Sequence, residues 1–217
     1  EPILADAREG ISKLAAVAEE IGISPNEEWV KTTERVKKEW HDLASPTLIV
    51  KDGEPMTQAQ ALKIINDTIP ENSYVVAVAG SLPGDVHKLW DTRGDKKCHL
   101  DFGYSCMTYE IPSGIGLSMA GEKNVFVCIG DGTYLMNPSD LIVAVREKIN
   151  MTVCLFVNHG YQIIRALQVM TTGSDFDVEF REQQGQGKKK GEFLPIDFAK
   201  HAESLGAKVH KASSGEA

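Results

Sequence analysis

The stretch VFVCIGDGTYLMNPSDLIVAVREKINMTVCLFVNHGY, residues 125–161, contains the pattern that decides the fold. Residues 125–129 form a continuous apolar run that ends at a glycine, and residues 151–157 form a second run that ends at an asparagine. Residues 138–149, between the two runs, have the composition of a helix. Continuous apolar runs with helices between them are typical of buried parallel strands. The stretch therefore predicts a strand, a helix and a second, parallel strand.

The same pattern continues on both sides of this stretch. Residues 74–79 are a third continuous apolar run, closed by Gly80, and residues 208–210 are a weaker fourth. Helices are expected over residues 114–120 and from residue 56 to about residue 70. We therefore expect an α/β fold, a doubly wound and mostly parallel sheet with helices on both faces.

The first 45 residues differ from the rest of the chain. Apolar side chains recur at helical spacing up to Ile21 and again between residues 26 and 43, and no strand is evident there. The Ser45-Pro46 pair then ends the second helix. We expect a helical segment over residues 1–45, followed by an α/β domain over residues 50–217.

The composition excludes several classes of function. The chain has 217 residues, with 23 basic and 31 acidic side chains and a net charge of −8. Such a chain is a poor binder of nucleic acids or of anionic membranes. No apolar run approaches the roughly 18 residues that a membrane span needs. The four cysteines form no C-x-x-C pair, which argues against a zinc or redox motif and fits a reducing, cytoplasmic compartment.

Residues 182–191 are the one low-complexity stretch, rich in Gly, Gln and Lys. They include the basic run 188–190, which is short enough to be a solvated loop that needs no ligand. We expect a mobile surface loop here, which could serve as a lid.

Small, polar, glycine-rich clusters follow three of the predicted strands. Ligands of such sheets bind at the carboxyl ends of the strands, so these clusters are where function is expected. In chain order they are Gly80-Ser81-Leu82-Pro83-Gly84, Gly130-Asp131-Gly132-Thr133 and Asn158-His159-Gly160-Tyr161.

Asp131 and Asn158 are the clearest candidates for a metal site. One strand–helix–strand unit separates them by 158 − 131 = 27 residues, so both stand at the ends of adjacent strands. Carboxylate and amide oxygens suit Mg²⁺ or Ca²⁺, but two protein oxygens hold Mg²⁺ well only if a phosphate supplies more ligands. The neighbouring glycines allow backbone N–H groups to approach such a phosphate. These residues therefore predict a Mg²⁺–diphosphate site, whereas a Gly-Asp-Gly sequence without this context would indicate a hairpin turn.

Residues 114–120, GIGLSMA, match the G-x-G-x-x-x-A fingerprint of dinucleotide-binding proteins. That fingerprint needs a strand directly before it, whereas Pro112 indicates the start of a helix here. Close packing of small residues against the sheet is therefore favoured over nicotinamide binding. The chain has no G-x-x-x-x-G-K-[ST], H-E-x-x-H or G-x-S-x-G motif.

Gly130-Asp131-Gly132, followed by the turn at Asn158, resembles the thiamine diphosphate motif. Several segments, the motif included, are similar to trihydroxycyclohexane-1,2-dione hydrolases, an inositol-catabolic family of the acetolactate synthase-like superfamily. These segments are residues 79–85, 101–107, 130–137, 158–162 and 193–199. The resemblance covers roughly residues 50–211, the diphosphate-binding (PP) domain, and residues 1–45 look like the tail of the family's central domain.

The resemblance implies thiamine diphosphate and Mg²⁺ as cofactors. Asp131, the side chain of Asn158 and the carbonyl of Gly160 would ligate the metal. Met107 would prop the cofactor in its bent shape, with plain core packing as the alternative, and the backbone at Ser105 and Met107 would hold the pyrimidine. The residues that would touch the diphosphate, mostly through their backbone, are Gly80, Ser81, Leu82, Gly132, Thr133 and Tyr161.

The sequence departs from the family at Thr108, where a glycine is usual. If the backbone there takes a positive φ, threonine is strained. The family's activating Glu lies in a pyrimidine-binding domain contributed by a partner subunit, and this sequence lacks that domain. We therefore expect the C-terminal portion of a longer enzyme, truncated at its own C-terminus, inactive alone and working as a homodimer or homotetramer.

The implied reaction is hydrolysis of a C–C bond in a cyclic polyhydroxy dione, trihydroxycyclohexanedione to 5-deoxy-glucuronate, in myo-inositol degradation. One alternative is an acetolactate synthase or 2-oxoacid decarboxylase of the same superfamily. Another is a non-catalytic binding or assembly module, and a nicotinamide dehydrogenase ranks third. His159, Gln162 and Arg165 could contact the substrate, but each is equally well explained as a surface residue.

Overall fold

The structure is a computed structural model that describes residues 2–51, 53–101, 103–184 and 189–213. The chain divides into two compact units, one up to Thr47 and the other from Leu48 onward. Among the described residues, no helix is both long enough and apolar enough to cross a membrane.

The first unit consists of the two expected helices. Helix α1 covers Ala7–Glu20 and helix α2 covers Glu27–Ala44. Asp6 caps α1 by accepting the N–H of Arg8 at 3.0 Å, and Asn26 caps α2 by accepting the N–H of Trp29 at 3.0 Å. Such side chains satisfy backbone donors that have no partner within the helix. The sequence therefore encodes both helix starts locally.

The second unit contains a four-stranded parallel sheet with the order β2-β1-β3-β4. Its strands are β1 (Tyr74–Ala77), β2 (Lys97–Leu100), β3 (Val125–Gly130) and β4 (Thr152–Phe156). The three strands β1, β3 and β4 lie within the predicted apolar runs. The predicted α/β class with a parallel sheet is confirmed.

Helices cover both faces of this sheet. They are α3 (Gln58–Thr68), α4 (Leu82–Leu89), α5 (Glu110–Met119), α6 (Asp131–Met136), α7 (Asp140–Arg146), α8 (Gln162–Thr172) and α9 (Phe198–Ser204). On one face, side chains of α3 and α4 pack against Val75, Ala77 and Cys128. On the other, α5, α6, α7 and α9 pack against Val76 and Val127. Alternate residues of β1 thus enter opposite cores, as strand geometry requires.

Helix α5 lies very close to β3 because Gly114 has no side chain. A Cβ atom at Gly114 would be 2.4 Å from Cγ2 of Val127. No strand directly precedes this helix in residues 103–109. Both observations support the packing interpretation of the glycine pattern and remove the basis for a dinucleotide fingerprint.

Three elements differ from the sequence-based expectations. Strand β2 was not predicted, because its residues alternate Lys97, Cys98, His99 and Leu100 instead of forming an apolar run. The strand expected at residues 208–210 is wrong, since those described residues are not in a strand. Its single apolar residue, Val209, lies between Lys208 and His210, which is too little apolar surface to bury on a sheet.

The loop expected over residues 182–191 is wrong in most of its length. Strand β5 (Arg181–Gln184) pairs antiparallel with β6 (Lys189–Phe193). Residues 185–188 of the expected loop, and with them Lys188 of the basic run, lie outside the described residues. The hairpin was not predicted because its residues up to Phe193 are polar or glycine, so that no apolar alternation marks its strands.

The strand order places a crevice between β1 and β3. From β1 the chain moves outward to β2, and it then returns to the other side of β1 to form β3. In an open parallel sheet, ligands bind at the carboxyl ends of the strands where the order reverses. The loops after β1 and β3 border this point, and the loop after β4 lies beside them.

Candidate cofactor-binding site

Asp131 is the centre of the candidate site. It is fully buried at the end of β3, where α6 begins directly. Its Oδ2 accepts the N–H groups of Asn158 at 2.9 Å and His159 at 2.6 Å, and its Oδ1 accepts that of Gly160 at 3.3 Å. The predicted juxtaposition of Asp131 with the turn after β4 is therefore observed. The helix predicted over residues 138–149 is observed as α7, and the separate short helix α6, which was not predicted, begins at Asp131 within the Gly-Asp-Gly sequence.

Burial raises the pKa of Asp131, although the N–H groups of the turn act in the opposite direction. A buried carboxylate is costly unless opposite charge or hydrogen bonds compensate it. Three N–H donors supply part of that compensation. A bound cation would supply more, since it favours the ionised carboxylate.

Residues 158–161 form a turn with an unusual backbone, which we call the metal turn. His159 has φ +62° and Gly160 has φ +139°. A Cβ atom at Gly160 would be 2.3 Å from the carbonyl oxygen of Val178, so only glycine fits there. Tyr161 donates its N–H to that same oxygen at 2.8 Å, and Phe180 donates its N–H to the carbonyl of His159 at 2.9 Å. Asp131 therefore holds one side of the metal turn, and residues 178–180 hold the other.

Asn158 carries the most informative atom of the metal turn. Its Oδ1 is buried and has no hydrogen-bond partner among the described residues. Buried polar atoms almost always have a partner, so an orphaned oxygen of this kind fits a ligand to a cation. The carbonyl of Gly160 accepts the N–H of Gln162 at 3.1 Å and keeps a second lone pair. The described chain has no cluster of three or more His, Cys, Asp or Glu side chains suited to a metal, so this site depends on one carboxylate and on neutral oxygens.

The turn after β1, residues 79–82, leads into α4 and is named the diphosphate turn below. Gly80 has φ +82°, and Leu82 is the buried first residue of the helix. Ser81 does not cap α4, because Gln58 engages its hydroxyl through bonds of 3.0 and 3.1 Å. The structure describes no side-chain cap for the first N–H groups of α4. Such groups at a helix N-terminus attract anions, phosphates included.

Gly132 and Thr133 lie in the first turn of α6, and both are buried. A Cβ atom at Gly132 would be 2.7 Å from the ring of Tyr161. The Tyr161 ring therefore lies directly over the Gly132 backbone. The structure thus brings Asp131, Gly132 and the metal turn together, and sheet topology puts the diphosphate turn at the neighbouring strand end.

Residues 105–108, called the pyrimidine segment below, lie beside the extension of β1. Ser105 donates its hydroxyl to the carbonyl of Val78 at 3.2 Å. Ser105 has φ +50° and Thr108 has φ +80°, while the side chain of Met107 is half-buried. The backbone at Thr108 therefore takes the left-handed conformation in which a threonine is strained.

Glu110 is a site residue that the sequence analysis missed. Its side chain is 1% exposed, and its Oε1 accepts the N–H of Ala79 at 3.1 Å. Its Oε2 is buried without a hydrogen-bond partner within the described ranges. A glutamate in the first turn of a helix is common, so the sequence carries no signal that this one is buried.

His159, Gln162 and Arg165, the candidate substrate contacts, are all engaged by the protein. The His159 ring stacks on Phe193 with 4.4 Å between centroids. Gln162 donates to the carbonyl of Asn158 at 2.9 Å, and Arg165 forms an ion pair with Asp175 at 2.5 Å. These contacts support the metal turn and the segment that packs behind it, which favours structural roles for all three.

Residues 78–217 match the family model described as "Thiamine pyrophosphate enzyme, C-terminal TPP binding domain". The chain belongs to the thiamine pyrophosphate enzyme family. The matched region contains the diphosphate turn, the pyrimidine segment, the Asp131 helix start and the metal turn. The resemblance to thiamine diphosphate enzymes, which the motifs indicated, is therefore confirmed.

Curated relatives carry one name along this region, 3D-(3,5/4)-trihydroxycyclohexane-1,2-dione hydrolase. The Clostridium botulinum protein is 40% identical over 163 residues, which are 74% of this chain and 25% of the relative. The Bacillus velezensis protein is 41% identical over 165 residues, 76% of this chain and 25% of the relative. The Listeria innocua protein is 40% identical over 162 residues, 74% of this chain and 24% of the relative. The chain thus spans about a quarter of the length of these relatives.

Proposed function

We propose that this chain is the diphosphate-binding part of an enzyme that uses thiamine diphosphate and Mg²⁺ to hydrolyse a C–C bond in a cyclic 1,2-dione. The substrate would be trihydroxycyclohexanedione, converted to 5-deoxy-glucuronate in the degradation of myo-inositol. The family match supports the cofactor, and the names of the relatives support the reaction. We assign the protein to the cytoplasm and expect a homodimer or homotetramer.

The unpartnered Oδ1 of Asn158 is the observation that carries the metal part of this proposal. A fold that needed Asn158 only for packing would leave a buried carbonyl oxygen without compensation, at a cost of about 1–3 kcal/mol. With Mg²⁺ bound, that oxygen, one carboxylate oxygen of Asp131 and the carbonyl of Gly160 would be its protein ligands. Mg²⁺ typically completes its shell with phosphate oxygens and water, which links the metal to the diphosphate.

The other assigned residues would bind and orient the cofactor. Gly80, Ser81 and Leu82 would offer backbone N–H groups of the diphosphate turn, and Gly132, Thr133 and Tyr161 would line the opposite side. When bound, thiamine diphosphate supplies an electron sink for cleavage of the C–C bond. Met107 would support the bent cofactor, and the backbone at Ser105 and Met107 would hold its pyrimidine edge. We assign no acid or base in this chain, because the activating Glu is expected in the pyrimidine-binding domain of a partner subunit.

Calorimetric titration of thiamine diphosphate into the chain, with Mg²⁺ and again with EDTA, tests the cofactor proposal. Saturable binding that EDTA abolishes is the expected result. Asn158→Ala is the sharpest variant, because the described structure gives its Oδ1 no hydrogen bond to lose. It should weaken Mg²⁺-dependent binding at least about tenfold and leave the melting temperature of the ligand-free chain unchanged or higher.

Asp131→Ala is a less specific variant, because it also removes the acceptor of three backbone N–H groups. The matched control is Asn137→Ala, a polar residue at the far end of α6, which should leave binding unchanged. Binding that is insensitive to EDTA and to Asn158→Ala would exclude the proposed metal site.

The substrate proposal needs the whole protein that contains this chain. With the cyclic dione as substrate, we expect an open-chain deoxy sugar acid, and activity should require Mg²⁺ and thiamine diphosphate. With pyruvate as the sole substrate, formation of acetolactate or acetaldehyde would instead identify an acetolactate synthase or a 2-oxoacid decarboxylase.

A further inference from the structure

The chain continues past the end of β1, where its pairing with β2 and β3 stops, yet these residues are buried. Val78 is 0% and Ala79 is 6% exposed. Buried backbone polar groups need partners, and here side chains of the following segment supply them. The carbonyl of Val78 accepts the Ser105 hydroxyl at 3.2 Å, and the N–H of Ala79 donates to Glu110 at 3.1 Å. Two consecutive residues are thus tied to the two ends of residues 105–110.

Of the two side chains that form these hydrogen bonds, Ser105 is exposed and Glu110 is buried. The carboxyl group of Glu110 lies at the start of α5 and accepts the N–H of Ala79 at 3.1 Å, while the nearby N–H groups of Thr108 and Glu110 itself act to lower its pKa. Ala79 opens the diphosphate turn, whereas Thr108 closes the pyrimidine segment. One carboxyl group therefore bonds to the diphosphate turn and lies at the helix start that follows the pyrimidine segment. The left-handed φ of +80° at Thr108 is held in place beside it.

We propose that Glu110 is a positioning residue that ties the diphosphate turn to the pyrimidine segment and so sets the spacing at which one cofactor molecule can occupy both. This inference rests on the proposed function, because it takes thiamine diphosphate as the ligand. Glu110 would act through Ala79 and Thr108, without touching the reacting atoms.

Burial favours the neutral form of the Glu110 carboxyl group. Burial raises the pKa of Glu110 against the opposing effect of the three N–H groups. No described cation pairs with this side chain, and its Oε2 has no hydrogen-bond partner. A buried, unpaired carboxylate is far more costly than the acid. Glutamine, which keeps the shape and one carbonyl acceptor, should therefore replace Glu110 well, whereas alanine should not.

The first test compares two probes for each variant: thiamine diphosphate, which spans both segments, and inorganic pyrophosphate, which reaches the diphosphate turn but not the pyrimidine segment. Both are titrated into the chain in the presence of Mg²⁺. The Kd of pyrophosphate divided by the Kd of thiamine diphosphate measures how much affinity is gained when one ligand occupies both segments. In Glu110→Ala we expect this ratio to fall by about tenfold, with the Kd of pyrophosphate changing much less. Glu110→Gln should keep the ratio at neutral pH, and Glu203→Ala, an exposed glutamate of α9, is the matched control.

Ser105→Ala keeps the test decisive if Glu110→Ala does not fold. Ser105 is exposed, so this variant should fold, but it loses the link to Val78 and should lower the same ratio by about threefold. An unchanged ratio in every variant that folds would overturn the assignment of Glu110.

Hydrogen exchange of the ligand-free chain separates this inference from the proposed function. Glu110→Ala, or Ser105→Ala in its place, should speed exchange of backbone N–H groups in residues 79–82 and 105–108 together. Glu203→Ala should change neither segment. If neither the wild-type chain nor the whole protein that contains it binds thiamine diphosphate, the proposed function fails while faster exchange still supports the link. If the wild type binds it but the variants neither exchange faster nor lower the ratio, the Glu110 inference fails alone.

Discussion

Thr108 is the residue at which the sequence and the backbone conflict most directly. A β-branched side chain at φ +80° crowds its own backbone, which costs roughly 1–2 kcal/mol. Thr108→Gly should remove that strain but gain backbone entropy in the unfolded state. We expect a net increase of about 0.5–1 kcal/mol in the free energy of unfolding, measured by urea denaturation.

Thr108→Ala is the control for this prediction. It removes the branched side chain but keeps a Cβ atom, so it should stabilise the chain less than glycine does. A Thr108→Gly chain that is less stable than the wild type would show that the threonine side chain makes a contact worth more than the strain.

Because Glu110 is buried, we expect it to make the chain less stable as the pH rises. The pKa of Glu110 is raised in the folded state. Its contribution to the free energy of unfolding is therefore fully present below the ordinary glutamate pKa of about 4.5, and it is lost as the pH rises through the folded-state pKa. Glu110→Gln does not titrate. The melting temperature of this variant relative to the wild type should therefore be lowest near pH 4 and rise toward neutral pH.

Thermal unfolding of both proteins from pH 4 to pH 8 measures this difference directly. Other titrating groups cancel, because they are common to the two chains. A difference that is constant across the range would mean that Glu110 titrates normally in the folded protein.

At the scale of elements, the contact between α5 and β3 gives a matched pair of variants within one helix. A Cβ atom at Gly114 would be 2.4 Å from Val127, whereas a Cβ atom at Gly116 would meet no described atom within 4 Å. Gly114→Ala should therefore destabilise the chain by about 1–3 kcal/mol through overpacking. Gly116→Ala should stabilise it by about 0.5–1 kcal/mol, because alanine is the better helix former.

Denaturant unfolding of both glycine variants checks the sign of each change. Equal effects at the two positions would contradict the close approach of α5 to the sheet. The comparison also tests the glycine pattern itself, because a nucleotide-binding turn would need both glycines for the ligand instead of one for packing.

The elements that could be predicted are those whose signal is local. The apolar runs predicted β1, β3 and β4, because strands buried on both faces need apolar side chains at every position. Strand β2 has a polar residue at every second position, and the hairpin of β5 and β6 has Phe193 as its one apolar residue, so neither has that signal. At residues 208–210 a strand was predicted but is not observed, since Val209 alone does not define a strand.

At the scale of the whole molecule, the candidate site was predictable where adjacent strands bring residues together. The spacing of Asp131 and Asn158 needed only one strand–helix–strand unit, and the structure places them in contact as expected. Glu110 and residues 178–180 could not be found in the same way. Their contacts join parts of the chain that no local pattern relates, and only the packed fold shows which of several glutamates is buried.

The division of the chain into two units yields the last prediction. Both hydrophobic cores and all the proposed cofactor-binding residues lie in the unit that begins at Leu48. Deleting residues 1–47 should therefore leave the melting temperature of this unit unchanged and its Mg²⁺-dependent affinity for thiamine diphosphate within about twofold of that of the intact chain, since a domain with its own hydrophobic core can fold alone. Differential scanning calorimetry and the titration described above measure both quantities. A deletion variant that binds the cofactor much more weakly would show that the helical segment, α1 and α2, belongs to the binding domain instead of preceding it.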